Sequence, residues 1–328
     1  MLRPFLLYSG INTRSYSLPL QRKITDFGSD MAFCQVNKKL KEHYGITVPE
    51  NGIRRNTLRH AKLIKKWQDS RLGSITAPAK QWIISETDGS MIPIVRTQAF
   101  VKGERKDRRK NKELIYREAR LTMAHEKDSV TPVFSATLGG VKEAGKHVLH
   151  CVKSVGINDK TRIHSVGDGA VWIADQMEAQ FGGHATYLID FYHLCEYLSA
   201  AANACSPNNE KIWLEKQKER LKESLISEVM QALKPHVELS ETPEENAPVR
   251  ACYRYMNNRL NQLDYKTAIE NGLPIGSGEI ESAHRYVIQK RLKIAGAWWL
   301  EENAEAMLAI RVNRTNNDWE SYWKLKAA

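Results

Sequence analysis

The sequence has few cysteines and no long apolar run. Its five cysteines are scattered through 328 residues and form no C-x-x-C pair, which argues against a disulfide framework or a cysteine zinc site and favours a reducing compartment. No apolar stretch reaches the ~18 residues that a membrane-spanning helix needs. The short apolar start, residues 1–7, is followed by no small-residue cleavage pattern. We therefore expect a globular cytoplasmic protein without a membrane partner.

Basic residues outnumber acidic ones. The chain has 49 Lys and Arg against 38 Asp and Glu, a formal net charge of +11. Such an excess favours a polyanionic partner, and nucleic acid ahead of a membrane surface. A basic surface without a specific partner explains the same number, so the charge is supporting evidence only.

Two helices are predicted near the N-terminus, at residues 29–44 and 52–68. Because the turn between them is short and the second helix is strongly basic, they indicate a helix-turn-helix that lies in a DNA major groove. A helical hairpin with one solvated basic face is an equally good interpretation. Residues 1–72 are predicted to form an N-terminal helical region, followed by a linker.

Between residues 80 and 195 predicted strands and helices alternate, which is typical of an α/β sheet. Apolar runs on either side of Asp88-Gly89 predict a tight hairpin. Residues 102–112 predict a charged loop, which is usually only solvated but, beside an active site, could hold a phosphate backbone. The later elements are predicted as strands at 114–125, 162–166 and 186–191 and helices at 138–155, 170–181 and from about 193 onward.

The block 196–271 is predicted to be wholly helical and interrupts the α/β pattern, so we interpret it as an insertion. Residues 272–328 would then return to the core that begins at residue 80. They open with Gly276-Ser277-Gly278, which leads into a helix that extends to about residue 293.

Three acidic residues in these segments are candidates for a metal site. Asp168 directly follows a predicted strand, Asp88 lies near another, and Glu281 lies beside Ile288 at the edge of the apolar face of the last helix. A carboxylate at a buried edge needs a partner. We hypothesise that the three carboxylates converge on two divalent ions, the arrangement that neutralises both the attacking and the leaving oxygen in phosphodiester chemistry. Ordinary turn and cap roles for all three are the alternative.

Further residues compete for or assist this site. Glu279 stands two positions before Glu281, but the helix macrodipole and the free N–H groups of a first turn already explain it. Asp190 and His193 lie where a strand passes into a helix. They are candidates for a metal ligand, a phosphate contact or a general base, or for a structural link between sheet and insertion.

Three motifs point to a known family. The segments GDGAVWI (167–173), LIDFYHLCEYL (188–198) and LPIGSGEIESAHRYVIQKRLKIAGAWW (273–299) resemble bacterial insertion-sequence transposases of the ISKra type. These belong among the Mutator-like DDE transposases, which have an RNase H-like catalytic core. The resemblance runs from about residue 25 to residue 323. Many members have a longer N-terminal region than this chain.

The resemblance implies a fold and a set of site residues. The fold is an RNase H-like mixed sheet flanked by helices, with an all-α insertion before the last catalytic helix. The catalytic and metal-binding acids are Asp88, which ends the opening strand, Asp168 and Glu281. Asp190 and His193 match a further Cys/Asp-x-x-His signature.

The resemblance also implies an activity. The protein would cleave the ends of a bacterial element and transfer them to target DNA, using two Mg²⁺ or Mn²⁺ ions, double-stranded DNA and a homo-oligomer that synapses two ends. Alternatives are an RNase H-like nuclease without strand transfer and a non-catalytic DNA-binding protein. Residues predicted to bind DNA are Arg54, Arg55, Arg59 and Lys62 in the second helix, Arg108 and Arg109 in the charged loop, and Arg285, Lys290, Arg291 and Lys293 in the last helix.

Overall fold

A computed structural model of the chain describes residues 16–74, 77–97 and 112–327. Its centre is a five-stranded mixed sheet with the strand order β3-β2-β1-β4-β5. Strands β1, β2 and β3 are antiparallel neighbours, whereas β4 and β5 run parallel to β1. The strands are β1 (Trp82–Thr97), β2 (Lys112–Glu126), β3 (Val133–Thr137), β4 (Arg162–Gly167) and β5 (Ala185–Ile189). This topology confirms the predicted mixed α/β fold and is consistent with an RNase H-like architecture.

Helices cover both faces of the sheet. The described helices are α1 (Leu18–Asp30), α2 (Phe33–Tyr44), α3 (Glu50–Asp69), α4 (Val141–Val155), α5 (Val171–Phe181), α6 (Phe191–Cys205), α7 (Glu210–Lys222), α8 (Ile226–Leu233), α9 (Pro248–Asn257), α10 (Tyr265–Glu270), α11 (Gly278–Ala283), α12 (Lys290–Leu292), α13 (Glu301–Thr315) and α14 (Trp319–Ala327). A π-helical turn, His284–Gln289, joins α11 to α12. We call the segment from α11 to α12 the last core helix.

The predicted hairpin at Asp88-Gly89 is wrong. Strand β1 is continuous for 16 residues, and Asp88 lies inside it, opposite Leu121 of β2. The strand therefore continues past Asp88 instead of ending there. Beyond the Asp-Gly pair, Ile92 and Ile94 keep alternating into the core, and this buried face outweighs the local turn preference of the dipeptide.

The N-terminal region contains three described helices rather than the two predicted. One face of α3 is buried against α13 and α14, and His60 on that face links three elements. Its Nδ1 lies 2.7 Å from the Tyr322 hydroxyl and its Nε2 2.9 Å from Oε1 of Gln21. Helix α3 therefore shares a hydrophobic core with β1 and β2.

The segment between β5 and the last core helix is all-α, as predicted. Helices α6 to α10 enclose a second core that includes Leu198, Leu221, Val249 and Met256. Within the described ranges, no helix is long and apolar enough to cross a membrane.

We predict that the protein loses stability in acid through His60. Burial, together with the charges of Arg59 and Lys326, lowers the pKa of His60 to about 4. The unfolded chain therefore binds the proton more readily between about pH 6.5 and pH 4, and stability falls as the pH falls through that window. Going from pH 7 to pH 4.5 should remove about 2 kcal/mol through this side chain.

Urea unfolding of the wild type and of His60→Gln at both pH values measures this effect. The variant should show the smaller change with pH. His43→Gln, which alters an exposed histidine, is the control and should behave like the wild type. Identical pH profiles for His60→Gln and the wild type would contradict the prediction.

Candidate active site

Three aspartates form a row across the parallel strands β1, β4 and β5. Glu86 of β1 is opposite Val166 of β4, and Val166 is opposite Leu188 of β5. Two residues further on, Asp88 inside β1, Asp168 directly after β4 and Asp190 directly after β5 are therefore side by side across the sheet. The backbone N–H of Asp190 donates to the Gly167 carbonyl at 2.7 Å, which extends the register to this row.

Asp168 lies in a loop that the insertion holds in place. The Tyr255 hydroxyl of α9 donates to the Asp168 carbonyl at 2.7 Å, and Nε of Arg259 donates to the Gly169 carbonyl at 2.9 Å. Gly169 has φ of 83°, and a β-carbon there would lie 2.3 Å from the Tyr255 oxygen, so only glycine fits. Oδ1 of Asp168 accepts the Ala170 N–H at 2.9 Å. The exposed carboxylate keeps its second oxygen free of any hydrogen bond from the described residues.

Both carboxylate oxygens of Asp190, in contrast, accept hydrogen bonds that link parts of the fold. Its Oδ1 accepts the N–H groups of Tyr192 and His193 and so caps α6, whereas its Oδ2 accepts the N–H and hydroxyl of Ser277, both at 2.6 Å. The buried carboxylate therefore ties the start of the insertion to the start of the last core helix. The predicted partner His193 turns toward Glu196, with Nδ1 3.7 Å from Oε2.

The structure adds one acidic residue that the sequence analysis missed, Glu86. It is buried on β1, two residues before Asp88 and on the same face, and its Oε2 accepts the Ile280 N–H of α11 at 2.9 Å. Burial raises the pKa of Glu86 to about 8 despite that hydrogen bond, and the charges of Glu279 and Asp190 add to the rise. At pH 7 the carboxyl is mostly protonated. The sequence feature that could have identified Glu86 is its position as an acidic residue inside an otherwise apolar strand.

The premise that Glu281 lies at a buried edge is wrong. Its side chain is 75% exposed, and its nearest cation is Arg285, 3.8 Å away on the next turn. The prediction used a uniform helical period, but the wider π-helical turn from His284 to Gln289 moves Ile288 to the middle of the buried face and leaves Glu281 outside. Glu279 is 57% exposed and lies 3.6 Å from Nε2 of His125. The choice between the two glutamates stays a prediction.

The residue of the last core helix that contacts Asp88 is His284. Its Nε2 lies 3.2 Å from Oδ2 of Asp88, while Oδ1 of Asp88 accepts the Gly89 N–H at 2.6 Å. Across the described ranges, no group of three or more His, Cys, Asp or Glu side chains is arranged to hold a metal ion. The predicted triad is therefore not preformed. The structure brings together Asp88 and His284, with Asp168 directly after the neighbouring strand β4.

The predicted DNA-binding residues fall into three groups. Arg291 is buried between the rings of Phe33 and Trp299, and its Nε donates to the Gly28 carbonyl, so it is not the exposed phosphate contact that we predicted. Arg108 and Arg109 lie outside the described residues. The exposed ones are Arg54, Arg55, Arg59 and Lys62 on α3, Arg285 and Lys290 on the last core helix, and Lys293 directly after it.

With this geometry in place, comparison with known proteins gives a family. A family model described as "Uncharacterised protein family (UPF0236)" matches residues 152–323, more than half of the chain. The chain belongs to the UPF0236 family. The match includes Asp168, the insertion and the last core helix, whereas Asp88 of this UPF0236 protein lies before it. No curated protein matches the chain significantly.

We predict that Glu86 fixes the last core helix as a neutral hydrogen-bond acceptor. Glu86→Gln keeps a carbonyl oxygen for the Ile280 N–H and should retain wild-type stability at pH 7. Glu86→Leu leaves that buried N–H unpaired and should lower the unfolding free energy by about 1–3 kcal/mol. Urea unfolding of both variants measures the difference. Equal losses in the two variants would show that the ionised form of Glu86 is the one required.

Proposed function

We propose that this UPF0236 protein is the DDE transposase of a bacterial insertion sequence, cleaving DNA at the element's ends and joining them to target DNA. The observation that carries the proposal is the pair Asp88 and Asp168. Asp88 lies within β1 and Asp168 directly follows the adjacent parallel strand β4, in register with Asp88. The carboxyl end of such a strand is where ligands of α/β sheets collect. The three motifs that resemble ISKra-type transposases support it independently.

The oxygen donors of this pair fit hard divalent cations. Asp88 is 35% exposed, Asp168 is exposed, and each has an oxygen free of backbone hydrogen bonds, so these two residues would hold Mg²⁺ or Mn²⁺. When bound, two such ions supply charge neutralisation at the attacking and leaving oxygens of the phosphodiester. Glu281, or Glu279, is proposed as the third carboxylate and would have to turn inward from its exposed position.

The rest of the chain would position DNA. Exposed cations on α3 and on the last core helix offer phosphate contacts on two separate elements. The proposed partners are the double-stranded DNA of the element ends and of the target. A homo-oligomer would hold two ends together, and the site of action would be the bacterial cytoplasm, at the nucleoid.

We predict that Asp168→Asn abolishes divalent-metal-dependent nicking of DNA carrying the element's ends and leaves DNA binding unchanged. The substitution removes the anionic oxygen and keeps the shape of the side chain. Nicking and joining are measured on DNA cloned from both flanks of the coding region. Asp175→Asn, an exposed change on α5, is the control.

The wild-type products separate the candidate functions. Joined molecules are expected from a transposase, nicks alone would indicate a nuclease, and binding without cleavage would indicate a non-catalytic DNA-binding protein. Glu279→Gln and Glu281→Gln, assayed in parallel, identify the third carboxylate, because only the true ligand should be intolerant. Retained nicking in Asp168→Asn would remove that residue from the site.

We predict that α3 contributes phosphate contacts. The double substitution Arg54→Glu and Arg55→Glu should weaken DNA binding and reduce the slope of log affinity against log salt by about one to two. Lys38→Glu with Lys39→Glu is the matched control, since it changes the net charge equally on exposed positions of α2. Fluorescence anisotropy at several salt concentrations measures both. Equal effects of the two double variants would indicate that α3 makes no specific DNA contact and that α2 and α3 form only a structural hairpin.

A further inference from the structure

His284 is buried next to the acidic row without a satisfied hydrogen bond. Its side chain is 4% exposed. Neither ring nitrogen has a hydrogen-bond partner among the described residues, because the contact from Nε2 to Asp88 has the distance of a hydrogen bond but not its alignment. Buried polar groups are normally paired. A buried imidazole that faces a carboxylate without hydrogen bonding to it suggests that a bound ion belongs between the two side chains.

The spacing between the two side chains fits a shared metal ion. Divalent ions in proteins bind oxygen and imidazole nitrogen at about 2.1 Å, so two neighbouring ligands on one octahedral ion lie about 3 Å apart. Nε2 of His284 and Oδ2 of Asp88 are 3.2 Å apart. Oδ2 is also the available oxygen of Asp88, since Oδ1 accepts the Gly89 N–H.

The packing of the last core helix on β1 fixes this pair. Glu86 accepts the N–H of Ile280, and two residues along the strand Asp88 meets His284, four residues along the helix. Two strand residues span ~6.6 Å and four helical residues ~6 Å, so the two contacts repeat in register. The π-helical turn begins at His284, and such turns are frequent at functional sites.

We propose that His284 is a metal ligand, its Nε2 binding the same divalent cation as Oδ2 of Asp88. Because imidazole suits transition metals better than it suits Mg²⁺ or Ca²⁺, the site should bind Mn²⁺ more tightly than Mg²⁺. This inference builds on the proposed function, but it concerns the metal site alone and needs no DNA for its test.

The test uses the full chain with Mn²⁺ alone. Electron spin-echo spectra of bound Mn²⁺ should show coupling to a nitrogen nucleus, and labelling the histidines with ¹⁵N should change that coupling. This measurement needs no substitution, so it holds even if a variant fails to fold. Asp88→Asn should weaken Mn²⁺ binding at least tenfold.

Substitutions assign the coupling to one histidine. His284→Gln, or His284→Asn if the first does not fold, should abolish it and weaken Mn²⁺ binding about tenfold or more. His184→Gln, at an exposed position, should leave both unchanged.

Bound Mn²⁺ without histidine coupling would overturn the proposal and leave His284 as a residue that only orients Asp88. Mn²⁺ binding that is insensitive to Asp88→Asn would also overturn it. If the nitrogen coupling is present but the protein neither cleaves nor joins DNA, the proposed transposase function is wrong and the assignment of His284 as a metal ligand stands.

Discussion

The candidate site depends on how the last core helix lies along β1. Glu86 accepts a backbone N–H of that helix, and one helical turn later His284 meets Asp88. Two residues along β1 and four residues along the helix span nearly the same length, so the contact of Glu86 with Ile280 also places His284 beside Asp88. A helix shifted by a single residue would turn His284 away from Asp88 and leave the buried carboxyl of Glu86 without its donor.

This helix packing concentrates acidic groups, and the structure relieves their repulsion selectively. Burial raises the pKa of Glu86, which favours its protonated form. Asp190 accepts four hydrogen bonds from backbone and serine groups. Asp88 and Asp168 are left with oxygens free of such donors. The acids that hold the fold together are therefore distinguishable from those available to a cation, and the second pair is the one that the proposed chemistry needs.

The sequence predicted the sheet better than it predicted the contacts around it. Alternating strands and helices after residue 80 follow from side-chain periodicity, which is a local property. The Asp88-Gly89 hairpin failed because burial of Ile92 and Ile94 outweighed a dipeptide preference. Glu281 was placed wrongly because a π-helical turn changes the helical phase, and periodicity analysis assumes that this phase is constant.

Burial of polar groups was the other weak point, since it depends on tertiary partners. Arg291 resembles its exposed neighbours in the sequence, but two aromatic rings from distant segments enclose it. Glu86 was overlooked because its donor, Ile280, is far away in the chain and becomes its neighbour only through folding. Asp168 was found because the end of its strand is recognisable locally, whereas Asp88 lies inside β1 and was selected for its place near an apolar run and by the family resemblance.

The insertion contacts the candidate site at two places, the loop of Asp168 and the entry to the last core helix. Tyr255 and Arg259 hold the loop of Asp168, and the capping residue of α6, Asp190, holds Ser277 at the entry to the last core helix. The segment matched by the UPF0236 model contains every one of these contacts. The insertion therefore contacts both the loop that carries Asp168 and the entry to the last core helix.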